Sequence, residues 1–476
     1  MPFFIRNKGR GSDRNDTKKF GKRPKDKSND KISNFKRKRS HLDEEIESES
    51  EEEREVIERR GKPDFDDSED EKERETATDK KIRLTKQYLA ALKNEEAERG
   101  DADVELHEVV SERLQHDALE QAGRLHKIVS DKFLPPDLSR IKVMRGHQLS
   151  LTCAVVSPDG RSAFSASKDG TIIKWCLETY KKVHVIPGGR KGTENKHVGH
   201  TSCILAMAIT SDSKFLATGD ANSLIHIWDP SSCQLLNTFE GHRKAISGLA
   251  FRKNSHQLFS AGHDRMVKIW NLDEMAYVET LLGHEDKITA IDSLTRERAV
   301  TCGGRDRSVR IWKVLEESQL VFHGHMNSID CVSLINETNF VTGGEDNCIC
   351  LWSVMKKRPL FTYKNAHNSS GEGSGQTVEE NWVTAVASLQ YTDLIASAGS
   401  KDGNIRLWKC SADFRSLTPL FSIPLVGFVN SLQFSPEGDF LLVSVGQEHR
   451  LGRWWRIKQA KNALYLIPLP RKDKDS

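Results

Sequence analysis

Two kinds of apolar spacing divide this chain. In "ETATDKKIRLTKQYLAALKNEEAERG", Ile82, Leu89 and Leu92 fall at i, i+7 and i+10, with Leu84, Tyr88 and Ala91 in an adjacent row. Thr78 or Asp79 offers an N-terminal cap there, and Gly100 a stop. A second run, residues 104–129, sets Leu106, Val110, Leu114, Ala118 and Leu125 along one stripe. The spacing predicts two amphipathic helices within a helical segment, 80–138, whose apolar faces pack on the main domain or on a partner. From about residue 139 the pattern changes to short apolar strands such as "TIIKW", each closed by polar turn residues.

These strands belong to a repeat. His147 is followed after 28 residues by Trp175, and the same distance separates His200 from Trp228, His242 from Trp270 and His284 from Trp312. His325 to Trp352 is 27, and His367 to Trp408 is 41, lengthened by the Gly/Ser/Glu-rich "SSGEGSGQTVEEN". Gly-His at one end and a strand ending in Trp at the other, at a period near 42, is the WD40 signature. Asp169, Asp264, Asp306, Asp346 and Asp402 each stand six residues ahead of their Trp, and Asn222 takes that place in the second unit. Such an acid, in a tight turn, accepts hydrogen bonds from local N–H groups and from the imidazole. The His, Asp and Trp positions are therefore fold residues, with no recurrent nucleophile beside them.

A seventh unit is partial. Aligning "SAGSKDGNIRLW" with "SVGQEHRLGRWW" puts Trp455 at the repeat tryptophan and His449 at the acid. Three strands are expected from 425–457, the fourth from "SRIKVMRG" (139–146), so that the ring closes without free edges. The expected fold is all-β: a seven-bladed propeller over 139–470, with 471–476 a basic C-terminal tail.

Charge adds an arm to this picture. Residues 1–40 carry 15 basic and 4 acidic side chains, and residues 41–79 carry 6 basic and 19 acidic. So polar a stretch, 1–79, cannot bury enough apolar surface to offset ordering entropy and is expected to be a disordered tail. "KKFGKRPKDK" (Lys22, Arg23, Lys25) and "FKRKRS" (Lys36, Arg37, Lys38, Arg39) are Lys/Arg clusters of the nuclear-import kind. Ser48, Ser50 and Ser68 precede a glutamate by three, which suits an acid-directed kinase. Nine cysteines without framework spacing fit a reducing compartment, and no stretch is apolar enough to span a membrane.

No nucleophile elbow, Walker loop or metal-spaced Cys/His cluster is present, so the expectation is a binding protein without catalysis, metal, cofactor or small-molecule substrate. A protein-binding scaffold is the general role of such propellers, but "Trp-Asp-x-Arg" of ligase receptors is missing after the third strands. RNA binding is the other class. Its candidates are His449, Arg450, Arg453, Trp454, Arg456 and Lys458 in the atypical last unit, with Arg190, Lys191 and Lys196 in the enlarged connection "GGRKGTENKH". Cations suit phosphates, and an extra indole suits base stacking.

The wording of the chain goes further. "KKIRLTKQYLAAL", "RGHQLSLTC", "HVIPGGRKG", "EESQLVFHGHMNSIDC", "IPLVGFVNSLQFS" and "VGQEHRLGRWWRIK" resemble the family of U3 small nucleolar RNA-interacting WD-repeat proteins, from about residue 73 to near 470. The resemblance implies a nucleolar protein that binds the box B/C region of U3 snoRNA beside a small kink-turn-binding protein. Other small nucleolar ribonucleoprotein and small-subunit processome proteins would be its neighbours in pre-rRNA processing towards 18S rRNA.

Overall fold

The computed structural model describes residues 125–472, except 191, 193–196, 368–380 and 454–455, together with short helical pieces between 82 and 119. The tail 1–79, with the basic clusters and the three serines, lies outside the described residues. Residues 82–83, 85–90 and 113–115 are helical, within the two predicted helices. Leu125 departs from the prediction: it is buried, but at the start of an extended strap rather than on a helical stripe.

Among the described residues, twenty-eight strands form seven four-stranded antiparallel sheets. Blade 1 shows the rule: Leu151–Val156 lies innermost, then Ser162–Ser167, Ile172–Cys176 and, outermost, Lys182–Ile186. The innermost strand is buried at all six positions because neighbouring blades cover both its faces, whereas four of five residues in the outermost strand are exposed. Apolar side chains fill the wedges between blades. Phe164, Ile172 and Ile186 of blade 1, for instance, pack with Ile204, Leu216 and Trp228 of blade 2.

The ring closes as expected, in blade 7. Lys142–Met144 pairs with Ala463–Pro468, which pairs with Phe440–Gly446 and in turn Phe428–Phe434. The third strand, however, is Ala463–Pro468 and not the run ending at Trp455. Doubling of the tryptophan attracts the alignment to the wrong place, and Trp454 and Trp455 themselves lie outside the described residues.

A strap reinforces the closure. Residues 125–134 cross the turn between the first two strands of blade 6, where the buried Asp393 accepts hydrogen bonds from Val129 N (2.8 Å), Ser130 N (3.0 Å) and Ser130 Oγ (2.5 Å). Phe133 enters the core of blades 6 and 7 and bridges to Arg471, and Lys472 N donates to Lys132 O at 2.9 Å. Residues 471–472, expected in a free tail, are thus pinned to the ring.

Candidate nucleic-acid interface

Six blades share one buried network, and its geometry decides what the repeat residues do. In blade 5, Trp352 Nε1 donates to Thr342 Oγ1 at 2.8 Å, His325 Nε2 meets the same hydroxyl at 2.7 Å, and His325 Nδ1 lies 3.0 Å from Asp346 Oδ2. His242, Asp264 and Trp270 repeat it through Ser260; His284, Asp306 and Trp312 through Thr301; His367, Asp402 and Trp408 through Ser397. These hydroxyls, ten or eleven residues ahead of each tryptophan, are the members that sequence reasoning missed. Their recurrence at that distance was the available signal.

Two units depart from the rule. In blade 2, Asn222 is not the partner of His200. Asp220, two residues earlier at the end of strand Leu216–Asp220, takes the imidazole Nδ1 at 3.2 Å, while Asn222 donates its backbone N–H to Asp220 Oδ1 and its side-chain amide to Thr201 Oγ1 at 3.2 Å. In blade 1, His147 Nδ1 meets Thr171 Oγ1 at 2.8 Å, and that hydroxyl reaches Asp169 at 2.5 Å, so the carboxylate acts through a relay.

Blade 7 has none of the network. By register, Ile467 opposite Leu441 holds the tryptophan position, as Trp352 stands opposite Phe340. Val443 replaces the hydroxyl residue, and both side chains are fully buried. With no turn acid to organise, the connection between second and third strands is free to grow to residues 447–462, and it is held by neighbours instead. Glu448 N donates to Ser150 Oγ at 3.1 Å, and Gln447 N to Asn462 Oδ1 at 2.9 Å. The buried Asn430 amide donates to Leu151 O (2.6 Å) and Glu448 O (3.2 Å) while accepting from Arg450 N (2.9 Å).

This loop sorts the candidates. His449 is buried beside Trp382 and Phe428; burial, then the charges of Arg450, Lys168 and Lys287, lower its pKa to about 3, so it is neutral and turned away from solvent. Arg450 points inward, its Nη2 3.4 Å from both Thr289 O and Asp330 O. Arg453, Arg456 and Lys458 face outward. Arg453 pairs with Glu448 at 3.0 Å while its side chain stays 67% exposed, and Arg456 Nε donates to Gln447 Oε1 at 2.8 Å. Lys461, not among the candidates, is exposed beside them.

The second candidate group adjoins this one. Connections between blades and turns between second and third strands emerge on the same face of the ring, so 187–199 and 447–462 share it. Gly188 packs against Asp169 and Gly170, and Lys168, in the same turn, donates to Gly452 O at 3.2 Å and lies 3.5 Å from Glu448. Arg190 is exposed on this path, and Lys191 and Lys196 lie outside the described residues. What the arrangement offers is exposed cations on one face of the ring, Arg190 in one connection and Arg453, Arg456, Lys458 and Lys461 in the other, with Glu448 paired to Arg453 and Lys168 between them.

Similarity to known proteins adds to the geometry. The family model "WD domain, G-beta repeat" matches residues 138–176, 193–229, 233–271, 275–313, 316–353 and 373–409, and so omits the three inner strands of blade 7. The U3 small nucleolar RNA-interacting protein 2 of Mus musculus is 55% identical over 397 residues, 83% of either chain. The chain belongs to the U3 small nucleolar RNA-interacting protein family. A more distant relative, ribosomal RNA-processing protein 9 of Saccharomyces cerevisiae, is 28% identical over 546 residues, 89% of this chain and 94% of its own. The solved structure of U3-55K superposes with a TM-score of 0.67 at 55% identity, covering 70% of this chain and all of that one. The loop 447–462 lies outside every stretch that the general repeat model matches.

Proposed function

We propose that this chain is an RNA-binding component of the U3 small nucleolar ribonucleoprotein, acting in pre-rRNA processing towards 18S rRNA in the nucleolus. It binds the box B/C region of U3 snoRNA beside a small kink-turn-binding protein, recognising RNA shape and position and catalysing nothing. The supporting names are those of the relatives: one family member interacts with U3 snoRNA, and a distant one processes ribosomal RNA. The observation that carries the surface assignment is the loop 447–462, where Arg453, Arg456, Lys458 and Lys461 are exposed on one face. Arg190 extends that cationic path, Lys191 and Lys196 stand in the same connection, and Trp454 supplies a base-stacking ring. The basic clusters Lys22–Lys25 and Lys36–Arg39 serve nuclear entry.

The test is charge reversal at Arg453, Arg456 and Lys458 together, followed by recovery of RNA with the purified protein. The reading expects U3 snoRNA to be lost while the thermal transition stays in place. Normal retention of U3 at physiological salt would refute the assignment of this surface. Retention of partner proteins without any U3 in the wild-type complex would favour a scaffold instead.

A further inference from the structure

The channel along the ring axis, about 190 Å³, is lined by the innermost strands of all seven blades. Its lining is mostly small or hydroxylated, with Thr152, Ser247, Thr289 and Thr384 facing inward at one level. Two charged residues line it, Asp330 and Arg450. They come from different blades: Asp330 stands on the first strand of blade 5, Arg450 on the loop of blade 7, 120 residues apart in sequence.

We propose that Arg450 is a positioning residue, a bolt that seats the basic loop over the channel mouth, and not one of the groups that contact RNA. Its guanidinium crosses the axis to the carbonyls of Thr289 in blade 4 and Asp330 in blade 5, while its own N–H is taken by Asn430 in blade 7. One side chain therefore ties the atypical blade to the far side of the ring. Carbonyl oxygens satisfy a guanidinium directionally, and its charge acts favourably on the carboxylate of Asp330. Asp330 is itself held above the usual carboxylate range, at about 6, chiefly by burial, and Arg450 pulls in the opposite direction. Lys287 and Glu345 also act on Asp330, and Lys168 and Lys287 on the adjoining His449, so these charges share the mouth.

The role matters because a loop of sixteen residues, 447–462, has no repeat network to hold it. Phosphate contacts spread over such a loop lose affinity if it wanders, since ordering it on binding costs free energy. Fixing one end in the channel orders the exposed cations beforehand.

The inference rests on the RNA-binding reading above for its consequence, but its structural half can be measured without RNA. In the full chain free of RNA, Arg450→Gln is expected to speed amide hydrogen exchange across 447–462 by about tenfold. Asp330→Asn, across the channel, should act in the same direction, and Arg453→Gln should leave exchange unchanged. With a transcript of the U3 box B/C region, Arg450→Gln should weaken binding while leaving the salt slope as in the wild type. Arg453→Gln should lower that slope by about 0.9. Loop exchange unaltered by Arg450→Gln, or a slope reduced by about 0.9 in that variant, would overturn the proposal. Failure of the wild-type chain to bind the transcript would sink the RNA reading alone, and exchange would still decide the bolt.

Discussion

Blade 5 and blade 7 have the same four strands in the same order and opposite interiors. Blade 5 spends buried polar groups on one another: Trp352, Thr342, His325 and Asp346 form a closed chain that ends in the turn Glu345–Cys348. That turn has no freedom left for another task. Blade 7 puts Ile467 and Val443 in the same places, keeps those two core positions apolar, and leaves its turn to be fixed by Asn430 of its own first strand, by Asn462 at the loop's end and by Ser150 of blade 1. The difference teaches where this chain places adaptability. A repeat whose turn is part of its own core cannot vary the turn, whereas a blade stabilised by apolar packing alone can carry a long, charged one.

The largest expected effect comes from erasing that difference. Replacing 447–462 by the short turn of blade 5, Glu345–Cys348, should abolish RNA binding in a filter or electrophoretic assay while circular dichroism still reports the propeller. RNA binding that survives would place the interface elsewhere.

Reciprocal swaps in the two cores come next. Thr342→Val leaves the Trp352 N–H and an imidazole nitrogen unpaired in blade 5, and Val443→Thr buries a hydroxyl with no partner in blade 7. Each should cost about 1–3 kcal/mol in denaturant unfolding. A neutral Thr342→Val would mean that the network contributes little beyond packing.

Acid and base should separate the two blades as well. His449 has its pKa lowered to about 3, first by burial, so the folded state prefers it neutral. Its contribution is present above about pH 6.5 and fades as pH falls towards 3, by about 1.4 kcal/mol per unit at most. His325 goes the other way: burial opposes its charge, but hydrogen bonds with Asp346 and Cys350 outweigh burial and raise the pKa to about 9. Its contribution is complete below about pH 6.5 and fades as pH rises through 9. Unfolding midpoints of His449→Gln and His325→Gln across pH 4–9 should flatten the acid limb and the alkaline limb respectively. A variant that flattens the wrong limb, or neither, contradicts the assignment.

The smallest effect concerns the tail. Deleting residues 1–40 should reduce nuclear accumulation in fluorescence images, with RNA affinity of the purified protein within about twofold of normal at physiological salt, where exposed charges are partly screened. Unchanged localisation would remove the import role from Lys22–Lys25 and Lys36–Arg39.

The ring was legible because period and residue type coincide: a strand ending in Trp has to return to Gly-His at fixed distance, and 139–146 was left over to complete blade 7. What could not be read was direction. Arg450, Arg453 and Arg456 look equivalent in "EHRLGRWWR", yet one enters the channel and two face solvent. Asn222 sat at the expected spacing while Asp220 did the bonding, because an acid at the strand end reaches the same imidazole. Trp455 mimicked the repeat tryptophan, and only the pairing of Leu441 with Ile467 shows which residue holds that position. Spacing encodes strands well and encodes loop paths poorly, since a loop's course depends on distant partners such as Asn430 and Thr289.

The most direct measurement is ultraviolet crosslinking of the full chain to U3 snoRNA, with the crosslinked peptides identified by mass spectrometry. Crosslinks concentrated in 447–462 and 187–199, on the face shared by those two connections, are the predicted result. Crosslinks confined to the opposite face, around the turns 211–214, 272–275 and 314–317, would contradict it.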